Sequence, residues 1–290
     1  MSKSNLRNPH DQFDAALQKA FESNLLAAFL EDIGTGDLTG LLVPDDTRVK
    51  ARVLVREEAV LAGAPWFEGV MLALDPSIEI DWKYAEGDLM QADSIVCLID
   101  APPRSLLTAE RAALNFMQLL SGVASATRRY VDVIAGTKAA ILDTRKTLPG
   151  LRQAQKYAVR VGGGQNQRMA LYDGILIKEN HIAAAGGVRP ALAAAQALDK
   201  GVSIQIEVES IAQLREALDA GALSVLLDNF DLGMMREAVV VNAGRALLEA
   251  SGGVNMDSVR AIAETGVDRI SIGALTKDVK ATDFSLRIIG

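Results

Sequence analysis

With 290 residues and 49% hydrophobic content, the chain is long enough for one large domain or two unequal ones, each with a well-filled core. Its 30 Lys and Arg stand against 37 Asp and Glu, a formal charge of -7, which excludes a global basic field for nucleic acid and makes any anion binding local. Cys97 is the only cysteine, and His10 and His181 are the only histidines, so neither a disulfide framework nor a Cys/His zinc cluster can be built. Cys97 reads as a core residue of a reduced, intracellular protein. The stretch MSKSNLRNPHDQF lacks the apolar centre of a secretory signal, and no apolar run approaches the roughly 20 residues of a bilayer span. A cytoplasmic location is expected.

After Asp11, the residues Phe13, Leu17, Ala20, Phe21, Leu25 and Phe29 recur at spacings of three and four, which predicts one apolar stripe of a packing helix. It runs into EDIGTGDLT, where Gly34 and Gly36 break the helix and Asp32 and Asp37 mark a loop that serves as a cap, a turn or a ligand site. From Arg48 the period changes to two: Val49, Ala51, Val53 and Val55 share one face of a strand. Further alternating runs, Ile78 to Tyr84 and Ile95 to Ile99, predict a small mixed sheet. Pro102 and Pro103 can continue neither a ladder nor a helix interior, so a domain boundary is expected near them. A helix is predicted from Thr108, with Ala112, Leu114, Phe116, Leu119 and Leu120 packing inward. Arg111 would then put a positive charge in its first turn against the helix dipole, which asks for a ligand or a surface ion pair in compensation.

Beyond Gly136, short β-branched runs alternate with alanine-rich helical segments. The runs lie at Ile141 to Leu142, Ile175 to Ile177, Ile204 to Val208, Val225 to Leu227, Leu247 to Glu249 and Ile270 to Ile272, the last four spaced by roughly 22 residues as in βα units of a parallel sheet or barrel. Right-handed crossovers put every strand's C-terminal end on one face. Arg145 and Lys146, Lys178, Glu207 and Glu209, Asp228, Ser251 with Gly252 and Gly253, and Gly273 all fall at those ends.

The densest chemistry lies between residues 143 and 181, where Arg145, Lys146, Arg160, Arg168 and Lys178 surround the triplet Gly162 to Gly164 in an otherwise acidic chain. Guanidinium forks pair with carboxylate or phosphate through two hydrogen bonds, and lysines add mobile point charges, so this mixture suits a polyanion. The small residues of SGGV and SIGALT let backbone N–H groups approach a phosphate at the last strand ends. Neither the dinucleotide fingerprint nor a P-loop is present. Glu207 and Asp228 have several readings: they hold ribose hydroxyls, position hydrated Mg2+, stabilise positive charge at a sugar carbon, or pair with Lys178 and Lys146 as structural ion pairs.

Taken together, EDIGTGDLT, ERAALNFMQLLSGVA, DTRKTLPGLR, KYAVRVGGG, LIKENH, IEVE, LLDNF, EASGGV and DRISIGALTK resemble the quinolinate phosphoribosyltransferase family, in its order and spacing, over nearly the whole chain. The resemblance implies transfer of phosphoribose from phosphoribosyl pyrophosphate to quinolinate with Mg2+, then loss of a carboxyl group to give nicotinate mononucleotide. It implies an α/β fold with an N-terminal α/β sandwich domain, residues 1–107 with the tail 280–290 returning to it, and an incomplete (seven-stranded type) α/β barrel, residues 108–279. It implies a homodimer with shared active sites, in which Arg145, Arg168 and the neighbouring subunit's Arg111 grip the quinolinate carboxylates. Lys146 and Lys178 would then meet both substrates, Glu207 and Asp228 would face the ribose and the metal, and Ser251, Gly252, Gly253 and Gly273 would take the 5-phosphate. Gln167 stands where the family often has histidine; its amide still donates to a carboxylate but neither carries charge nor exchanges protons. The alternatives are a sister phosphoribosyltransferase with another anionic acceptor and a non-catalytic phosphometabolite-binding protein.

Overall fold

A computed structural model describes residues 13–44 and 47–289. The segment read for a secretory signal, and the final residue of the returning tail, lie almost wholly outside them. The chain divides into two compact units, one made of residues 1–128, 147–163 and 276–290 and the other of residues 129–146 and 164–275.

In the first unit, helix α1 (Ala15–Asp32) opens on Asp14, whose carboxylate accepts the Leu17 backbone N–H at 2.8 Å. Its buried stripe, Leu17, Phe21 and Leu25, follows the predicted spacing. Phe21 joins Phe13, Trp66 and Tyr157 in an aromatic cluster in which Trp66 and Tyr157 centre 5.3 Å apart. The strands β1 (Val49–Val55), β2 (Ala59–Val60), β3 (Glu79–Trp82), β4 (Leu89–Met90) and β5 (Ile95–Ala101) precede a long helix. The main sheet runs β12-β1-β5-β3, where β12 is Phe284–Ile288. The C-terminal strand β12 pairs antiparallel with β1 inside the first unit. Every pair in that sheet is antiparallel, so the mixed sheet expected from the alternating runs is replaced by an all-antiparallel one with the C-terminal strand at its edge. Cys97 is fully buried on β5.

Two expectations change at the junction. Helix α3 spans Pro103–Val133 without interruption, so the proline pair marks a helix start and not a break. Proline is tolerated in the first turn because its missing N–H would be unpaired there anyway. Residue 107 thus falls inside a helix. Arg111 lies eight positions into α3, beyond the turn over which the helix dipole acts, so the dipole argument for it lapses. Helices α2 (Ala64–Leu74) and α4 (Arg152–Val161) complete this unit. The first glycine of the triplet is a packing residue: a Cβ on Gly162 would lie 2.5 Å from the Ala124 carbonyl oxygen of α3. Arg160 sits with its guanidinium 5.9 Å from the Tyr157 ring centroid.

The second unit is a parallel sheet in the order β6-β11-β10-β9-β8-β7, with β6 at Ala140–Leu142, β7 at Gly174–Ile177, β8 at Ser203–Val208, β9 at Ser224–Asp228, β10 at Leu247–Ser251 and β11 at Arg269–Ser271. All of the predicted apolar runs are there as strands. Among the described residues the sheet has these six strands. The seventh expected from the resemblance is represented only by a parallel bridge between Leu142 and Gln165. Connecting helices include α5 (Glu179–Ala185), α6 (Val188–Ala197), α7 (Ile211–Asp219), α8 (Leu232–Asn242) and α9 (Val259–Ala263). Ser210 and Asp231 cap α7 and α8 by accepting the Gln213 and Met234 backbone N–H groups. No helix among the described residues is long and apolar enough to cross a membrane.

Candidate active site

Because the six strands run parallel, their C-terminal ends share one rim, and a cavity of about 660 Å³ opens there. The cationic side is built first, from the two segments that flank β6. Asp143, fully buried after that strand, accepts the Asn166 side-chain N–H at 2.6 Å and the Gln167 backbone N–H at 2.9 Å. This carboxylate ties the Gln165 to Arg168 segment beside the Thr144 to Lys146 segment. Thr144 Oγ1 accepts the Lys146 backbone N–H at 3.1 Å and turns the chain so that Arg145 and Lys146 line the cavity. Arg168 Nη1 donates to the Gly174 carbonyl at 3.0 Å, and Asp173 gathers the backbone N–H groups of Met169 and Ala170 at 2.7 Å each.

Arg168 and Arg145 stand close enough to repel. Burial lowers the Arg168 pKa, the nearby Arg145 guanidinium lowers it further, and Asp173 offsets part of the effect. Two like charges held in one partly desolvated place favour an anion between them.

The acidic side comes from the next strands. Lys178, at the end of β7, places Nζ 3.9 Å from Glu207 Oε2, and its backbone N–H donates to His181 Nδ1 at 3.0 Å. Desolvation raises the Glu207 pKa, Lys178 opposes the rise, and Asp228 and Glu179 add to it. An acid pair of this kind gains from a cation arriving with the ligand. Asp228, at the end of β9, also accepts the Asn229 side-chain N–H at 2.9 Å.

At the third corner, Ser251 ends β10 and lines the cavity, followed by Gly252 and Gly253 at φ +102° and +61°. A Cβ on Gly252 would fall 2.1 Å from Asn229 Oδ1 and 3.2 Å from the Asn229 backbone N, at a φ that side chains rarely adopt, so the position favours glycine. Gly273, after β11, lies against Lys146: a Cβ there would meet Lys146 Cδ at 3.0 Å. Gly252→Ala is therefore expected to cost about 1–3 kcal/mol of local strain. Thermal denaturation should show this as a melting temperature below that of the wild-type protein, and an unchanged midpoint would contradict the strain.

Arg145, Lys146, Gln167, Arg168, Lys178, Glu207, Asp228 and Ser251 thus come together as the sequence suggested. Arg111 does not belong to this unit and is exposed on α3. Both amide donors of Gln167, expected to reach a carboxylate of the ligand, are instead given to Gln205 and Glu249. Sequence reading missed Asp143, Gln205, Glu249 and Ser271. The signal was available for Glu249: it stands two residues before Ser251, on the same strand face, in a run that otherwise reads as apolar.

Fold and site define an α/β protein whose parallel strand ends bring an arginine-lysine cluster, an acid pair and a glycine turn to one rim. The family models for the C-terminal and N-terminal domains of quinolinate phosphoribosyl transferase match residues 123–287 and 35–121. The chain belongs to the quinolinate phosphoribosyltransferase family. It is 41% identical to a probable nicotinate-nucleotide pyrophosphorylase [carboxylating] of Bacillus subtilis over 261 residues, 90% of each chain. It is 40% identical to the nicotinate-nucleotide pyrophosphorylase [carboxylating] of Mycobacterium leprae over 285 residues, which cover 95% of this chain and 98% of that one. The solved structure of nicotinate-nucleotide pyrophosphorylase from Francisella tularensis superposes with a TM-score of 0.91 at 43% identity, covering 93% of this chain and 96% of the other.

Proposed function

We propose that this chain transfers phosphoribose from phosphoribosyl pyrophosphate to the ring nitrogen of quinolinate and removes one carboxyl group, releasing pyrophosphate, CO2 and nicotinate mononucleotide. The observation that carries this reading is the single cavity that holds an Arg145–Arg168 pair on one side and the Glu207–Asp228 pair on the other. Arg145 and Arg168 take the two acceptor carboxylates and orient the ring nitrogen toward the sugar. Ser251, Gly252 and Gly253, with Gly273, take the 5-phosphate on backbone N–H groups. As the bond from the anomeric carbon to pyrophosphate breaks, positive charge grows on that carbon, and the Glu207 and Asp228 carboxylates stabilise it while Lys146 and Lys178 balance the leaving group. The ring nitrogen of the adduct is positive. When the bond to the neighbouring carboxyl breaks, CO2 leaves, the electron pair stays on the ring carbon beside that charge, and a proton completes the product.

Glu207 and Asp228 also fit Mg2+. No cluster of three or more His, Cys, Asp or Glu is found among the described residues, and a pair of strand-end carboxylates suits an ion that brings its remaining oxygen ligands from water and substrate phosphate. When bound, that ion neutralises charge on the departing pyrophosphate.

The reading includes a homodimer in which Arg111 from the second subunit reaches the acceptor carboxylates. The exposure of Arg111 supports it, as do the exposed apolar side chains of Leu26 and Leu30 on α1 and of Leu38 and Leu42 beyond it, 59%, 68%, 82% and 82% accessible, which a second copy would cover. Arg111→Ala and Lys146→Ala proteins, each inactive alone, should regain activity when mixed into heterodimers; verified heterodimers without activity would contradict shared sites. For the reaction itself, purified protein with phosphoribosyl pyrophosphate and Mg2+ should form nicotinate mononucleotide from quinolinate and not from nicotinate. The reverse preference would overturn the assignment of the acceptor.

A further inference from the structure

Below the reacting groups the barrel is polar where such cores are ordinarily filled by branched apolar side chains. Gln205 on β8 is 6% exposed and Glu249 on β10 is 1% exposed. With Gln167 they close a triangle. Gln167 Nε2 donates to Gln205 Oε1 at 2.9 Å and to Glu249 Oε2 at 2.8 Å, and Gln205 Nε2 donates to the same Glu249 oxygen at 2.9 Å. The remaining polar atom of the Gln167 side chain, Oε1, accepts the Arg168 backbone N–H at 2.8 Å. Its own backbone N–H goes to Asp143. Gln167 is thus spent on the protein, and what it holds in place is the backbone of Arg168.

The triangle also divides space. Gln167 and Glu249 line the catalytic cavity, whereas Gln167 and Gln205 line a second cavity of about 410 Å³ at the N-terminal ends of the strands, beside Ser203, Ser224 and Arg269. A buried carboxylate under a cavity meant for a dicarboxylate acid is unfavourable unless its hydrogen bonds repay the desolvation. Only one of its oxygens is used in that way. Glu249 Oε1 takes no protein partner, and neither does the buried Ser271 Oγ, and both residues face the catalytic cavity.

We propose that Glu249 is a positioning residue for the acceptor half of the site: its Oε2 locks Gln167 and Gln205 into a partition across the barrel and, through Gln167, fixes the segment that presents Arg168. This inference rests on the functional reading above, in which Arg168 grips an acceptor carboxylate. Arg168 then depends on two hydrogen bonds in series from β10, and the glycine turn on the other side of the cavity does not.

The test compares Glu249→Ala, Glu249→Gln and Gln167→Ala with the wild-type protein, measuring KM for each substrate, kcat and thermal stability. Glu249→Gln keeps one oxygen that accepts both amides, so it retains the bracket and serves as the folding control, while Glu249→Ala removes it. Glu249→Ala and Gln167→Ala should each raise the quinolinate KM by about tenfold or more with the phosphoribosyl pyrophosphate KM within about twofold, and Glu249→Gln should restore quinolinate KM to within about threefold of wild type. The double variant should be no worse than either single one, because both changes break the same bracket. The proposal is overturned if wild type turns over quinolinate and Glu249→Ala does so with unchanged KM, or if both substrates' KM rise together in Glu249→Gln as well. If wild type does not use quinolinate at all, the functional reading fails first, and the proposal goes with it.

Discussion

Glu207→Ala should lower kcat by about a hundred- to a thousandfold while the quinolinate KM stays within about threefold, the scale of losing one preorganised electrostatic contact to transition-state charge. Glu207 sits on β8 behind Lys178 and next to Asp228, partly desolvated, with its pKa raised chiefly by that desolvation. Desolvation disfavours its charge, and in the proposed reaction positive charge developing at the sugar carbon offsets that cost, so its loss appears in turnover. Glu207→Gln should recover little, because the amide keeps the shape and loses the charge. Rapid-quench measurement of the transfer step separates this from slow product release. An unchanged transfer rate in Glu207→Ala would return the residue to the status of a structural partner for Lys178.

Arg145→Ala should act on the opposite parameter, raising the quinolinate KM by about thirty- to several-thousandfold, as expected when one partner of a hydrogen-bonded charge pair costs about 2–5 kcal/mol. Arg145 follows the Asp143 and Thr144 anchors and stands near Arg168, whose pKa its charge helps to lower. Arg145→Lys should remain impaired, since an ammonium cannot reproduce the two-pronged contact with a carboxylate. The KM for phosphoribosyl pyrophosphate should move by less than about threefold, because in the proposed arrangement its 5-phosphate is taken by the Ser251 and Gly252 turn on the other side of the cavity. Equal changes in both KM values would show that the two halves of the cavity are not separate.

The strands of the second unit were legible because each is a short β-branched run followed by a polar or glycine residue, and the parallel order then followed from helical spacers between them. The rim residues were legible for the same reason: Lys178, Asp228 and Ser251 stand where the apolar runs stop. Other features are set by contacts distant in sequence. Pro103 begins α3 although it reads as a break, because a local rule about proline does not say on which side the helix lies. Gly162 looks like part of a ligand loop, yet its role is to let α4 approach Ala124 of α3. Glu249 hides inside an apolar run because only the inward direction of alternate β10 residues, and the arrival of Gln167 from another segment, turn it into part of the cavity floor. The division of the chain into units is likewise a matter of packing, since residues 147–163 join the first unit between two stretches of the second.

In the proposed reaction one cavity couples phosphoribosyl transfer to decarboxylation of a pyridine dicarboxylate. Its most direct test is CO2 release from quinolinate labelled at the carboxyl group beside the ring nitrogen, followed together with pyrophosphate in the presence of Mg2+. Labelled CO2 and pyrophosphate should appear in equal amounts, and both should vanish when phosphoribosyl pyrophosphate is omitted. Label released without phosphoribosyl pyrophosphate, or pyrophosphate formed with the label retained in the product, would contradict it.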